Sequence, residues 1–270
     1  MALPVALLVW QTQIIYQSRN FQVVLLVYFS TLFVYNAHRI RGLSRVLKSD
    51  IGERHQWAIK NKTFLVALIA SSFLICGLLF YQVFAEISIP RLIVPSIVTI
   101  GYVIPIIPTS KRWLRLRDLP YLKALLIAGV VSYVTVILGN KNFEFKAIYL
   151  LQILERFFFI LAITIPFDIR DYQFDSHSKL KTFPLVFGIK KSKIIALIFL
   201  GFSLIVNLVL LKFQPILFLY PITVSLIIAG FIIWKANKDS SEFYYSFLVE
   251  GTMIIQALLV FFSYTLASSL

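Results

Sequence analysis

Long apolar runs dominate the chain, and the polar residues between them fall in short clusters. Crossing roughly 30 Å of hydrocarbon takes about 20 apolar residues, and nine runs approach or reach that length. They are Ala2 to Tyr16, Phe21 to Asn36, Phe64 to Phe84, Leu92 to Pro108, Leu119 to Leu138, Ala147 to Phe167, Ile194 to Leu211, Pro215 to Trp234 and Tyr245 to Leu266. Irregular backbone is costly in lipid, so all nine are expected to be helices of one bundle. Gln11, Gln13, Gln17, Ser18, Arg19 and Asn20 interrupt the first stretch, which predicts a tight hairpin rather than one helix from Ala2 to Asn36. The expected fold class is all-α and polytopic, with residues 1–270 forming a single transmembrane domain and no separate soluble domain.

Composition agrees with that pattern: 59% of residues are hydrophobic and 14% charged, with a mean hydropathy of +0.86. Soluble domains do not have this balance. The opening "MALPVALLVW" has no basic region before its apolar stretch, so a cleaved signal peptide is not expected. The single cysteine, Cys76, lies in an apolar run and reads as a small buried hydrophobe.

A net charge of +14 would suit a nucleic-acid partner if it covered a soluble face, but the basic residues sit at the ends of the apolar segments. Those after the second, fourth, sixth and eighth segments are Arg39, Arg41, Arg45, Lys48, Arg54, Lys60 and Lys62, then Lys111, Arg112, Arg115, Arg117 and Lys123. Arg170, Lys179, Lys181, Lys190, Lys191 and Lys193 follow, and then Lys235 and Lys238. The other loops hold only Arg19, Arg91, Lys141, Lys146 and Lys212. This positive-inside bias puts the N-terminus in the cytoplasm and the C-terminus across the membrane, and a bacterial inner membrane fits that topology. The charge is therefore mostly topology, the bilayer is the first partner, and nucleic acid is not expected.

Against this basic background, three of only twelve acidic residues fall within eight positions, in "FDIRDYQFDSHSKLKTFPLVFG". If the chain stays helical there, Asp168, Asp171 and Asp175 lie at i, i+3 and i+7, within about 60° of one another around the axis. Three like charges on one stripe call for a cation. Mg²⁺ is the hard ion that selects carboxylates and phosphate oxygens together. A solvated helix end with Arg170 as local counter-charge is the plainer alternative.

The same stretch resembles the second aspartate-rich motif of the UbiA superfamily of intramembrane prenyltransferases. Asp168, Asp171, Asp175, Lys181, Thr182, Pro184 and Gly188 occupy its positions. "ALPVALLV", "GYVIPIIPTSKR" and "LRDLPYLKALLIAG" are similar to other family segments, in order and at similar spacing. The resemblance implies nine helices, long cytoplasmic loops after the second and sixth, and a polyprenyl diphosphate held through Mg²⁺ while an electron-rich acceptor captures the allyl cation. It makes Asp168, Asp171 and Asp175 the expected catalytic, metal-binding trio. Lys181, Tyr102, Lys111 and Arg112 become expected substrate contacts.

The family's first motif is where the chain departs. In "YNAHRIRGLS", Asn36 is kept, but Ala37, Ile40 and Ser44 stand at the aspartate positions. This supports one Mg²⁺ rather than two. His38, Arg39 and Arg41 are candidate substitutes, since a guanidinium can grip phosphate oxygens bidentately. Asp50 and Glu53 are more distant carboxylates of the same loop. Glu155, Arg156, Glu250 and Gln256 lie within spans and are candidates for lining a cavity. Two readings follow: a divergent prenyltransferase acting on an aromatic or lipid acceptor, or a non-catalytic relative that binds or moves an isoprenoid or lipid.

Overall fold

A computed structural model describes residues 1–43, 53–109, 113–141, 143–177 and 180–269. All nine expected apolar segments are helical within those limits. They are α1 (Ala2–Ile15), α2 (Phe21–Leu43), α4 (Lys62–Val83), α5 (Pro90–Val103), α6 (Leu122–Tyr133), α7 (Ala147–Arg170), α10 (Ile189–Leu210), α11 (Ile216–Lys235) and α12 (Glu250–Ser268). A π-helical turn, Val134–Leu138, extends α6, and another, Tyr244–Val249, leads into α12. Three short helices, α3 (Glu53–Lys60), α8 (Tyr172–His177) and α9 (Phe183–Phe187), lie in the connections. Six of the nine are long and apolar enough to cross a membrane; α1, α5 and α6 with its π-helical turn are shorter. The protein is an integral membrane protein.

The sequence explains the breaks. Gln17 takes a left-handed φ of 51° between α1 and α2. Asn20 Oδ1 accepts the Val23 N–H at 3.1 Å and so caps α2, while the Gln13 amide holds the Asn20 backbone. The predicted hairpin forms there. The fourth segment, expected to stay helical to Pro108, stops at Val103 instead. Pro105 and Pro108 disfavour helix in the residues before them, and Ile104 is accordingly extended, with φ −95° and ψ 135°. The chain then forms a small antiparallel hairpin, β1 (Ile107–Pro108) with β2 (Trp113–Leu114), in place of the last expected turn.

Helix α7 is the axis of the bundle. Over half of its apolar window, 56%, is buried inside the protein, against 17% for α4. It packs chiefly against α10 and α6, while α1 packs against α12 and α2 against α4. Ala128, Ala162, Ala196 and Ala229 are fully buried at helix contacts, since small side chains let helices approach closely where lipid supplies no hydrophobic drive. A second cluster joins Val5 and Val9 of α1, Val23 and Val27 of α2, and Leu79 and Val83 of α4. Exposed apolar side chains such as Phe73, Leu78 and Tyr81 on α4 suit a surface bathed in hydrocarbon.

Alternate connections gather at opposite ends. At one end Asn20 donates to Glu86 at 2.7 Å, and Lys141 pairs with the same carboxylate at 3.3 Å. At the other, the Tyr121 N–H donates to the Lys181 carbonyl at 2.9 Å, and Arg170 lies 3.6 Å from Glu242.

Candidate functional site

The aspartates stand where α7 ends. The helix breaks for one residue, Asp171, with φ −85° and ψ 12°, and resumes as α8. The helical bonding carries through, since the Asp171 N–H reaches the Phe167 carbonyl at 2.9 Å and the Asp175 N–H reaches that of Asp171 at 2.8 Å. The three carboxylates therefore share one side, as their spacing predicts. Asp168 and Asp175 are only 3% and 1% exposed, and all three line one cavity of about 1250 Å³.

At their focus sits Lys123, a residue that reads in the sequence as one more flanking charge. Its ammonium is 2.8 Å from Asp168 Oδ1, 3.0 Å from Asp175 Oδ2 and 3.9 Å from Asp171 Oδ2. Local backbone explains the placement. Tyr121 adopts a left-handed φ of 60° just before α6, and its N–H is tied to the carbonyl of Lys181. The start of α6 is thereby pinned beside the loop that follows the trio. Beyond that loop, Thr182 stands at the N-cap position of α9 without a side-chain cap bond, Pro184 stands in its first turn, and Gly188, with φ 78°, turns the chain into α10. The Thr-x-Pro and Gly of the motif thus shape the return path.

The charges are not balanced within the cluster. Three carboxylates face one ammonium, and Asp171 also accepts from Arg170 at 2.9 Å. Burial pushes Asp175 above the usual carboxylate range; the Lys123 ammonium pulls it back and the Asp171 charge raises it again. Asp175 Oδ1 is buried with no hydrogen-bond partner.

Another wall of the same cavity is basic and aromatic. His38, Arg39, Tyr102, Arg115, Arg117 and Asp118 line it. Arg117, 8% exposed, donates from NH1 to His38 Nε2, and its guanidinium lies 5.1 Å from the centre of the Tyr102 ring. Arg115 forks onto Asp118, with NH2 at 2.7 Å from Oδ1 and Nε at 3.1 Å from Oδ2. Burial opposes ionisation of Asp118, yet that fork holds its carboxyl below the usual range. The rest of the cavity is apolar, running past Leu26, Phe80, Leu92, Ile127, Val131 and Leu138.

Other expected contacts fall elsewhere. Asn36 is buried, but its amide donates to the Leu32 carbonyl at 2.7 Å and it is not among the cavity-lining residues. An amide in an apolar helix satisfies itself on the preceding turn when nothing better is in reach. Arg41 and Lys181 have exposed side chains outside the cavity. Lys111, Arg112, Ser44 and Asp50 lie outside the described residues, and so does the side chain of Glu53. Of the polar residues within spans, Glu250 lines the cavity and pairs with the Met1 ammonium. Glu155, Arg156 and Gln256 are fully buried away from it. Cys76 is half-buried on the cavity wall beside Ser30, at 3.4 Å, rather than sealed in the core.

Lys123 and Arg117 are the residues that sequence reasoning missed. Their one signal is position: Lys123 follows the start of an apolar run and Arg117 precedes it, close to the ordinary place of a topology charge.

Among the described residues, no three His, Cys, Asp or Glu side chains already form a set that could hold a metal ion. The donor chemistry of the trio nevertheless fits one hard divalent cation. Lys123 and Arg170 together leave the three carboxylates in excess, and Asp175 Oδ1, with no hydrogen-bond partner among the described residues, supplies an oxygen lone pair. The wall bearing His38 and Arg117 offers no such set, because Ala37 and Ile40 stand where the resembled motif has carboxylates.

The fold and site define a polytopic helical membrane protein with an acidic cluster opening onto an apolar cavity. No protein-family model and no curated protein matches the chain, whereas solved structures do. A digeranylgeranylglyceryl phosphate synthase superposes with a TM-score of 0.58 at 16% identity, over 97% of this chain and 92% of that one. A UbiA homologue from Archaeoglobus fulgidus bound to GPP and Mg²⁺ gives 0.61 at 18%, over 99% and 96%. The same homologue bound to DMAPP and Mg²⁺ gives 0.62 at 17%, over 100% and 96%. The chain has the UbiA fold.

Proposed function

We propose that the protein is a divergent membrane prenyltransferase that moves a prenyl group from a polyprenyl diphosphate to an aromatic or lipid acceptor. One observation carries this reading: a buried, under-compensated carboxylate trio lies on the wall of a cavity that is otherwise apolar and large enough for an isoprenoid tail. UbiA-fold neighbours solved with GPP or DMAPP and Mg²⁺ support it.

In this mechanism the tail lies among Leu26, Phe80, Ile127 and Val131, and the diphosphate head lies between the trio and the His38 wall. Asp168, Asp171 and Asp175 would hold one Mg²⁺. When bound, that ion offsets the charge gathering on the leaving diphosphate. Lys123 keeps the carboxylates in register, and Arg117, His38, Arg39 and Tyr102 orient the head. The apolar wall keeps water from the allyl cation before the acceptor arrives. Asn36 serves only through the helix that carries its neighbours, and Arg41, Lys111, Arg112 and Lys181 guide the anionic head towards the mouth by charge. The loop charge bias puts this mouth on the cytoplasmic face, with a bacterial inner membrane as the setting.

A second reading is a non-catalytic isoprenoid or lipid carrier of the same fold. The missing first-motif carboxylates and the lysine at the trio's focus favour it. Labelled farnesyl or geranylgeranyl diphosphate, offered with Mg²⁺ to purified protein in detergent, separates the two. The enzyme releases pyrophosphate and Asp171→Asn lowers release at least tenfold. Tight binding without release points to the carrier, and absence of binding defeats both.

A further inference from the structure

The basic wall carries a consequence of its own. Arg117 is more than nine-tenths buried, lines the cavity and makes no ion pair with any described residue. Its neighbours differ: Arg115 is neutralised by Asp118, and Arg170 by Asp171 and Glu242. Arg117 has instead His38 on NH1, the Tyr102 ring below it, and an Nε with no hydrogen-bond partner. A buried guanidinium is costly unless an anion compensates it; the Asp118 and Asp168 carboxylates act on Arg117 only from beyond ion-pair distance, and no described carboxylate meets it in contact.

Its location shows what that anion is. Arg117 reaches His38, which follows Ala37 and lies two residues before Ile40, the positions where carboxylates would stand in the resembled motif. An acid-lined wall needs a metal to meet phosphate. A wall lined by a tethered guanidinium does not, since the planar fork presents its N–H groups to phosphate oxygens directly.

We infer that Arg117, aimed by His38, is a phosphate-binding residue that takes over the place of a first metal, so that a prenyl diphosphate head is gripped on this wall without any divalent ion. The inference rests on the functional reading above and deepens it: the site is half metal-dependent, at the trio, and half metal-independent, at Arg117. His38 is a positioning residue, since it acts by holding NH1 and so fixing where the rest of the fork points.

The test is equilibrium binding of farnesyl thiodiphosphate, which resists ionisation, to purified protein in detergent with EDTA or with Mg²⁺. Wild-type protein is expected to bind in EDTA, with Mg²⁺ tightening the complex further. Arg117→Gln is expected to weaken binding in EDTA by roughly 10- to 100-fold, the loss typical of a charge-assisted contact. Asp171→Asn should remove the gain from Mg²⁺. Should Arg117→Gln fail to fold, His38→Gln keeps the buried charge and is expected to weaken EDTA binding several-fold without altering the Mg²⁺ gain. Binding by wild type only with Mg²⁺, or full EDTA affinity in both wall variants, overturns the inference while leaving the functional reading intact. Failure to bind under either condition defeats both.

Discussion

Helix α7 carries two buried charged clusters, and they are built on opposite principles. Near its middle, Glu155 and Arg156 are both 0% exposed. Glu155 Oε2 accepts from Gln152 at 3.0 Å and Oε1 from Ser203 at 3.1 Å. Arg156 donates to the Leu8 carbonyl at 3.3 Å and lies 3.9 Å from Glu155, so the two formal charges cancel, although its Nε and Nη2 have no hydrogen-bond partner among the described residues. The Gln152 amide continues through Gln214 to Tyr16. This cluster ties α1, α7 and α10 together and takes no part in the lining of the large cavity. At its end, α7 leads into the trio, where Lys123 and Arg170 answer three carboxylates and the surplus faces open space. In a low-dielectric interior, charge closed on itself holds helices together, and charge left open awaits a ligand.

The largest effects should come from breaking the closed cluster. Arg156→Met leaves Glu155 buried without its counter-charge and is expected to destabilise the protein by about 3–5 kcal/mol. Glu155→Met combined with Arg156→Met should cost clearly less than the sum of the two. Thermal melting in detergent checks both; strict additivity would show that the pair is not a unit.

Lys123→Met sharpens the contrast. It strips the trio of its resident cation, so a loss of roughly 3 kcal/mol is expected in EDTA. Mg²⁺ should restore much of that melting temperature, whereas it should do nothing for Arg156→Met. No Mg²⁺ effect on the Lys123 variant would place the cation site elsewhere.

The smallest effects are in pH. Asp175 is held above the usual carboxylate range, so the metal-free folded protein binds its proton more tightly than the unfolded chain. Its stabilising effect is therefore present below the unfolded value of about 3.9 and lost as pH rises through the folded value. Asp118, held low by Arg115, has the opposite sign: its contribution is present above about 3.9 and lost as pH falls through the folded value. Asp175→Asn should flatten the first slope and Asp118→Asn the second, measured as melting temperature against pH.

Much of this was legible in local pattern. The apolar runs and the spacing of Asp168, Asp171 and Asp175 are each properties of neighbours in the chain, and each formed as expected. Pro105 and Pro108 carried the end of α5 just as openly, although hydrophobicity alone suggested a longer helix. Arg117 and Lys123 were not legible, because a basic residue beside an apolar run looks the same whether it meets lipid headgroups or a carboxylate far along the chain. Asn36 misled for the related reason that its identity says nothing of whether its amide turns to a ligand or to its own helix.

The order of residues alone determined that this chain lies in a membrane as helices and that three carboxylates share one face where α7 ends, since hydropathy and helical periodicity act over a few turns. Tertiary structure alone decided which cations meet those carboxylates, which buried arginine has no ion-pair partner among the described residues and which buried charges are paired. Those outcomes depend on the strained turn at Tyr121 and on the packing of α6 against α7, contacts between segments far apart in the chain that no local pattern encodes.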